Sequence, residues 1–476
     1  MAIPVSELLD TGVVSGGGLV EPRVIDLGPR HQRQRRVNYA AKRLVDMIFV
    51  TGLDQAEAER RFRATETLAP GGLQTLGTAE GVPPPPVVVA DPAARRVTVT
   101  WDDKAFGPPV VGHAVAAPGY GGIVLGTATR PGFEPAPIGR AGFEAGRAWP
   151  KGDAGAVETP AALADAAARF LAASPGVYGV MVATPDRVLL ERYGAGGGPA
   201  VVTPSWSVTK AITATLIGRL VHEGWLESIH DPAPAPLWRD PRGIHRLITI
   251  DHLMRMRSGL GFPMVDGAGG TRGGFENGEV YCEGEDAFVA AQRACVLTVP
   301  GAVYRYINTG INVLGAIIRD RIEARGLPYH ETVYGLLADR IGMSSYQHSA
   351  DIAGNFVASG SGFATLRDYT RFGLFLLQDG VWDGERLLPE GWVDQAMRPS
   401  HTGSAYAASM RSNADAQFPS LPRDAAWATG ASGQRVFVLK RAGVVMTVTN
   451  ETDHLQDLAA LDALGVAAMA AASSGA

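Results

Sequence analysis

Residues 206–210 read Trp-Ser-Val-Thr-Lys and are followed by an apolar run that ends at Val221. A serine and a lysine three positions apart at the start of a helix lie on one face, so their side chains can hydrogen-bond. A serine hydroxyl becomes a strong nucleophile when a neighbour removes its proton, and a lysine can do this when burial lowers its pKa. The apolar run predicts that the helix lies inside a domain. Ser207 and Lys210 are therefore candidate catalytic residues.

The bulk composition is typical of a folded globular chain. Of 476 residues, 46% are apolar and 19% are charged, and the net charge is only −5. This balance argues against nucleic acid or an anionic membrane as the main partner. Since no stretch reaches about 18 uninterrupted apolar residues, the sequence predicts no membrane span. It leaves open whether the protein forms a homodimer.

Signals for cofactors, redox chemistry and targeting are sparse. Cys282 and Cys295 are too few for a disulfide framework and lack the neighbouring histidines of a zinc site, although a single disulfide stays open. We expect no metal and no cofactor. Residues 1–19 lack a basic start and a continuous apolar segment, so we expect no secretory signal and a cytoplasmic location.

Strand patterns flank a long helical region. Residues 177–183 and 187–193 alternate around a turn, and residues 434–440 and 443–449 form a second pair near the C-terminal end. The segments between the two pairs are typical of helices and loops. This order predicts an α+β fold, in which an antiparallel sheet is built from both chain ends and an all-helical region, about 225–425, is inserted.

The chain changes character near residue 158. Residues 83–86 are four prolines, which form a stiff connector, and short strand candidates follow at 87–89 and 97–101. We therefore predict an N-terminal extension, 1–157, that packs on or beside the catalytic domain, and a catalytic domain spanning 158–476.

An activated serine also needs a second proton-transfer group, and Tyr306-Ile307-Asn308 is the candidate. These residues precede a predicted helix, and a tyrosine on such a loop can point into a cleft. A lysine ammonium nearby would lower the tyrosine pKa. The alternative is a structural tyrosine followed by Asn308 as the helix N-cap.

The candidate oxyanion site is the segment 428–434, Ala-Thr-Gly-Ala-Ser-Gly-Gln, which leads into an apolar strand. Glycines before a strand let the backbone approach a ligand closely. The N–H of Ala431 is the most plausible partner for the N–H of Ser207. A glycine-rich turn before an edge strand is the alternative.

Taken in order, S-x-x-K at 207–210, Y-x-N at 306–308 and x-T-G-x-x-G at 428–433 resemble the serine β-lactamase and penicillin-binding-protein superfamily. The sequence is most similar to the class C-like branch, with its family VIII-type carboxylesterases and 6-aminohexanoate-oligomer hydrolases. Linking segments also match, and the resemblance covers about 158–470. It implies a β-lactamase-like fold for the catalytic domain.

The resemblance also implies a role for each motif residue. Ser207 would be acylated, while Lys210 and Tyr306 would share the general-base and general-acid steps. Asn308 would position Lys210 or the substrate. The N–H groups of Ser207 and Ala431 would bind the oxyanion.

One residue departs from the family pattern. The third motif of β-lactamases usually opens with lysine, and that of many related esterases with histidine, whereas Ala428 stands there in this chain. The cation that would hold a β-lactam carboxylate is therefore missing. This favours the branch that cleaves uncharged or differently charged amides and esters.

We expect a serine hydrolase that cleaves a carboxylic amide, such as a linear amide or an amino-acid oligomer, or an ester. The partner is then a small-molecule substrate. A β-lactamase or D-Ala-D-Ala carboxypeptidase is one alternative, and a non-catalytic penicillin-fold binding protein is another. The candidate substrate-binding residues are Trp206, Tyr281, Gly430 and His401.

Overall fold

A computed structural model describes residues 25–26, 28–68, 86–102, 104, 107–240, 243–262, 264–265, 282–400, 405–450 and 456–474. The helices are α1 (Pro29–Val45), α2 (Gln55–Leu68), α3 (Ala161–Ala173), α4 (Val208–His222), α5 (Ile250–Met254), α6 (Ala287–Gln292), α7 (Asn308–Glu323), α8 (Tyr329–Leu336), α9 (Leu366–Leu377), α10 (Trp392–Met397) and α11 (Leu458–Ser473). Within the described ranges, none of them is both long and apolar enough to cross a bilayer.

Longer strands carry the two main sheets, and strands of two or three residues accompany the helices. The strands are β1 (Ile25–Asp26), β2 (Val87–Asp91), β3 (Arg96–Trp101), β4 (Val110–Ala116), β5 (Gly122–Gly126), β6 (Val177–Ala183), β7 (Val188–Tyr193), β8 (Thr203–Pro204), β9 (Leu260–Gly261), β10 (Met264–Val265), β11 (Cys295–Val296), β12 (Gln347–His348), β13 (Gly362–Ala364), β14 (Val381–Trp382), β15 (Glu385–Arg386), β16 (Arg411–Ser412), β17 (Ala426–Gly430), β18 (Gln434–Leu439) and β19 (Val444–Asn450).

The chain forms two compact units, and the first comprises residues 1–138, 229–320 and 347–359. Its sheet is antiparallel, with the order β2-β3-β4-β5, and α1 packs against it. Distant segments join this unit through buried contacts. Arg35 on α1 pairs with Glu283 at 3.0 Å, and Asn38 donates to the carbonyl of Cys282. Helix α1 therefore shares one unit with the segment 229–320.

The second unit comprises residues 139–228, 321–346 and 360–476. Its six-stranded sheet has the order β16-β17-β18-β19-β6-β7, and all its pairs are antiparallel. Helix α9 packs on β18 and β19, while α11 packs on β19 and α3. Gly373 lets α9 approach closely, since a Cβ there would lie 2.6 Å from Val445. This confirms the predicted α+β class, with strands from residues 177–193 and 411–450 in one sheet.

In the inserted region, one side chain fixes where a helix begins. Helix α6 starts at Ala287. Asp286 ends the preceding loop by accepting hydrogen bonds from the N–H groups of Phe288 and Val289. An aspartate in this role satisfies the first helical N–H groups and so fixes the start of the helix.

Candidate functional site

Ser207 and Lys210 contact each other at the start of α4. Ser207 occupies the N-cap position of that helix, and Lys210 Nζ lies 2.9 Å from Ser207 Oγ. Lys210 is only 1% exposed because nearly every residue of α4 is buried. Burial lowers the pKa of Lys210 to about 7. A lysine with that pKa can accept the serine proton near neutral pH.

The backbone around the serine is held in a strained conformation. Trp206 has a φ of 47°, in the left-handed region that costs a non-glycine residue about 1 kcal/mol or more. Ser205 N donates to the Gly362 carbonyl at 2.7 Å, and Ser205 Oγ lies 2.5 Å from Thr209 Oγ1. Gly362 N in turn donates to Thr209 Oγ1 at 3.2 Å. These bonds fix the turn that presents Ser207.

Ser205 and Thr209 were not predicted as site residues. Their spacing of four positions is the signal that could have identified them, because residues i and i+4 meet once a helix turn forms. In sequence, Ser205 and Thr209 lie on either side of Ser207, and their hydroxyl groups contact each other. They support the nucleophile without contacting it directly.

Strand β17 brings the third motif against the serine. A Cβ placed on Gly430 would lie 2.3 Å from the Ser205 carbonyl oxygen and 3.1 Å from the Ser207 nitrogen. Only glycine allows this approach without a shift of the backbone. The turn residue Ala431 follows at once, and it is exposed. The backbone of the third motif thus lies next to the Ser207 N–H.

Ala428 occupies the same face of β17 as Gly430, because side chains alternate along a strand. Its side chain is fully buried, and it pairs across the sheet with Val436. The place where relatives would carry a lysine or histidine is therefore apolar in this chain.

The second motif, residues 306–308, lies in the first unit. Ser207, Lys210 and Ala431 lie in the second unit. Tyr306 is half-buried, and Asn308 is buried at the first residue of α7. The preceding loop is anchored by Arg305 N, which donates to the Met256 carbonyl at 2.8 Å. The predicted contact residues Tyr281 and His401 lie outside the described residues.

A second lysine–serine contact occurs in the first unit, and its setting is different. Lys42 Nζ lies 2.9 Å from Ser349 Oγ and also donates to Asp46. Burial lowers the pKa of Lys42, but the Asp46 carboxylate opposes this shift. Ser349 is fully buried, and the cavity beside Lys42 measures about 10 Å³, which holds roughly one water. No substrate can reach this pair.

The described residues contain no group of three or more His, Cys, Asp or Glu side chains that could hold a metal ion. Cys282 and Cys295 are both buried thiols. Burial raises the pKa of Cys295, which makes its thiolate less accessible near neutral pH.

Comparison with known proteins gives matches to hydrolases. Residues 163–470 match the Beta-lactamase family. Over 148 residues the chain is 34% identical to Esterase EstB from Burkholderia gladioli, a match that covers 29% of this chain and 36% of that esterase. The aligned part thus spans about a third of that relative.

Two solved structures share the fold. One is a candidate 6-aminohexanoate-dimer hydrolase from Bacillus anthracis, with a TM-score of 0.52 and 19% identity over 63% of this chain and 81% of that one. The other is EstCE1, a hydrolase with promiscuous acyltransferase activity, with a TM-score of 0.51 and 14% identity over 65% and 98% of the two chains. At these identities the likeness concerns the fold alone.

Proposed function

Because the chain belongs to the Beta-lactamase family, we propose that it is a serine hydrolase that cleaves a carboxylic ester or a linear amide through an acyl-enzyme on Ser207. One observation carries the proposal. Lys210 Nζ lies 2.9 Å from Ser207 Oγ, and burial lowers the pKa of that lysine to about 7. A neutral amine at this distance is a competent general base.

The chemistry starts with proton transfer from Ser207 Oγ to neutral Lys210. Oγ then attacks the substrate carbonyl carbon, and the N–H groups of Ser207 and Ala431 bind the resulting oxyanion. The bond to the alcohol or amine breaks as that group takes up the proton. A water molecule attacks the acyl-enzyme next, releases the carboxylic acid and returns a proton to Ser207 Oγ.

The family resemblance implies that Tyr306 shares this proton transfer and that Asn308 positions Lys210 or the substrate, and we include both roles in the proposal. The replacement Tyr306→Phe removes only the hydroxyl. If Tyr306 protonates the leaving group, the replacement should slow amides more than activated esters, since an amine leaves poorly without a proton. Equal rates of the variant and the wild type on both substrate types would contradict the assignment.

The choice of substrate rests on Ala428 and on the relative's name. Ala428 is buried and stands where the family pattern has a cation. This disfavours substrates whose carboxylate must be bound by such a cation, which weakens the β-lactamase and D-Ala-D-Ala carboxypeptidase alternatives. The relative that is 34% identical over 148 residues is called an esterase, which supports an ester as the first substrate to test. Trp206 and Gly430 flank Ser207 and are our candidates for contact with the acyl group.

The test uses p-nitrophenyl esters of increasing chain length, a set of linear amides and nitrocefin. We expect turnover of an ester or an amide, and a mass increase on Ser207 with a fluorophosphonate. Ser207→Ala should lose both, whereas the matched control Ser349→Ala should keep both. Equal, negligible turnover by wild type and Ser207→Ala would overturn the proposal in favour of a non-catalytic binding protein. Fast nitrocefin turnover would show that our interpretation of Ala428 is wrong.

A further inference from the structure

Gln434 makes an unusual pair of hydrogen bonds directly behind the predicted oxyanion turn. It is 2% exposed. Its side-chain Nε2 donates to the Asn450 carbonyl, and its Oε1 accepts from the Asn450 N–H at 3.2 Å. One side-chain amide therefore satisfies both backbone groups of a residue sixteen positions away.

The Gln434 side chain makes the hydrogen bonds that a backbone pair would make if the β18–β19 ladder continued. The ladder between β18 and β19 ends at the pair Arg435–Val448. Beyond that pair, the main chain turns away from β19 into residues 431–433. The backbone of β18 therefore no longer lies beside the N–H and C=O groups of Asn450. A primary amide carries the same donor and acceptor as a peptide, and the Gln434 side chain takes over both bonds.

The turn itself does not adopt a relaxed conformation. Ser432 and Gly433 both have φ in the left-handed region, at 62° and 80°. A Cβ on Gly433 would lie 2.8 Å from Asn450 Nδ2, and the Gly433 carbonyl accepts from Gln456 Nε2 at 3.3 Å. Non-glycine residues in this region persist when the surroundings hold them there. The contacts at the base of the turn do this.

The base of the turn is tied to the nucleophile. Gly430 and Gln434 face each other across the hairpin, with only residues 431–433 between them. Gly430 lies against the Ser207 nitrogen, as its 3.1 Å Cβ approach shows. A shift at Gln434 would therefore move the Ala431 N–H relative to the Ser207 N–H.

We propose that Gln434 is a positioning residue, which holds the turn 431–433 so that the Ala431 and Ser207 N–H groups converge on the oxyanion. The inference rests on the proposed serine hydrolase function and extends it. Donors aimed at the developing charge contribute most when they are fixed in advance, and a displacement of about 1 Å can cost roughly a hundredfold in rate.

The first test compares wild type with Gln434→Met, which keeps the length of the side chain and removes both hydrogen bonds. We expect kcat per fluorophosphonate-titrated site to fall about 10- to 100-fold. KM should stay within about twofold, since ground-state contacts are unchanged. The affinity of a boronic acid that forms a tetrahedral adduct with serine should fall by the same factor as kcat.

Gln292→Met is the matched control. Gln292 is also buried, donates to the Phe288 carbonyl at 3.0 Å and accepts from Leu237 N at 2.9 Å, but it lies in the first unit. Its loss should lower the thermal midpoint without changing kcat per titrated site. If both variants keep wild-type kcat per site and boronate affinity, Gln434 has only a structural role and the inference fails.

If Gln434→Met does not fold, Gln434→Glu is the second variant that tests the proposal. A carboxylate keeps the acceptor for Asn450 N–H but loses the donor, and protonation restores that donor. The kcat of Gln434→Glu relative to wild type should therefore rise as the pH falls, whereas a pH-independent ratio would overturn the inference. Absence of both turnover and fluorophosphonate labelling in the wild type would instead refute the proposed function, so the two failures are distinguishable.

Discussion

The burial of Lys210 sets the expected pH dependence of the reaction. Burial lowers its pKa to about 7, and the neutral form is the base. We expect kcat/KM for a p-nitrophenyl ester to rise as the pH increases through about 7 and then to level off. A pH–rate profile from pH 5 to 9 checks this. A profile that stays flat through pH 7 would exclude Lys210 as the base.

The same burial predicts that Lys210 destabilises the fold. Its folded pKa of about 7 lies below the unfolded value near 10.5, so folding at low pH requires a buried charge. This cost is fully present below pH 7 and disappears as the pH rises toward 10.5. Lys210→Met should therefore raise the free energy of unfolding at pH 6 by a few kcal/mol, since each pKa unit is worth about 1.4 kcal/mol.

Urea denaturation of the Lys210→Met variant at pH 6 and pH 10 measures this effect. The gain over wild type should shrink between the two values, while activity is lost at both. A variant that is less stable than wild type at pH 6 would show that the Lys210–Ser207 hydrogen bond outweighs the burial of the charge.

Among the elements, the long strands of the six-stranded sheet could be predicted most closely from sequence. The expected strands 434–440 and 443–449 are found as β18 and β19 with ends within one residue, because alternation and glycine turns are local signals. The contact between β17 and the turn before α4 is expected only from the family resemblance, which implies that the Ser207 and Ala431 N–H groups bind one oxyanion. The closeness of Gly430 to Ser207 depends on a sheet whose strands are more than 200 residues apart, and no local pattern encodes it.

That contact gives a prediction for β17. In Gly430→Ala the added methyl group would meet the Ser205 carbonyl oxygen at 2.3 Å, so the strand or the turn before α4 must shift. The Ser205 carbonyl oxygen and the Ser207 nitrogen are backbone atoms, which cannot move aside as a flexible side chain can. We therefore expect kcat to fall at least tenfold. Gly142→Ala is the control, since a Cβ there meets nothing within 4 Å. Equal kcat for both variants would argue against the close approach of β17.

Across the whole molecule, the α+β class and the sheet built from two distant segments could be predicted from the order of strand and helix patterns. The extension expected at 1–157 stays a prediction. The unit that contains α1 and the sheet β2-β3-β4-β5 also includes residues 229–320 and 347–359. The contacts responsible are single side chains that join positions more than 240 residues apart, such as Asn38 with Cys282. Composition and periodicity carry no signal for such pairs.

The pairing of Arg35 with Glu283 tests whether the N-terminal helix is part of the cooperative fold of its unit. Both side chains are buried, at 0% and 8% exposure. Arg35→Met therefore removes the permanent positive charge beside the Glu283 carboxylate, which keeps its 3.1 Å contact with His31 Nε2. Breaking a buried pair in this way costs about 3–5 kcal/mol. We expect a loss of this size in urea denaturation, and the double variant Arg35→Met with Glu283→Gln should recover part of it because the charge is gone. If Arg35→Met has the same free energy of unfolding as wild type, the contacts of α1 with residues 282 and 283 do not stabilise the first unit.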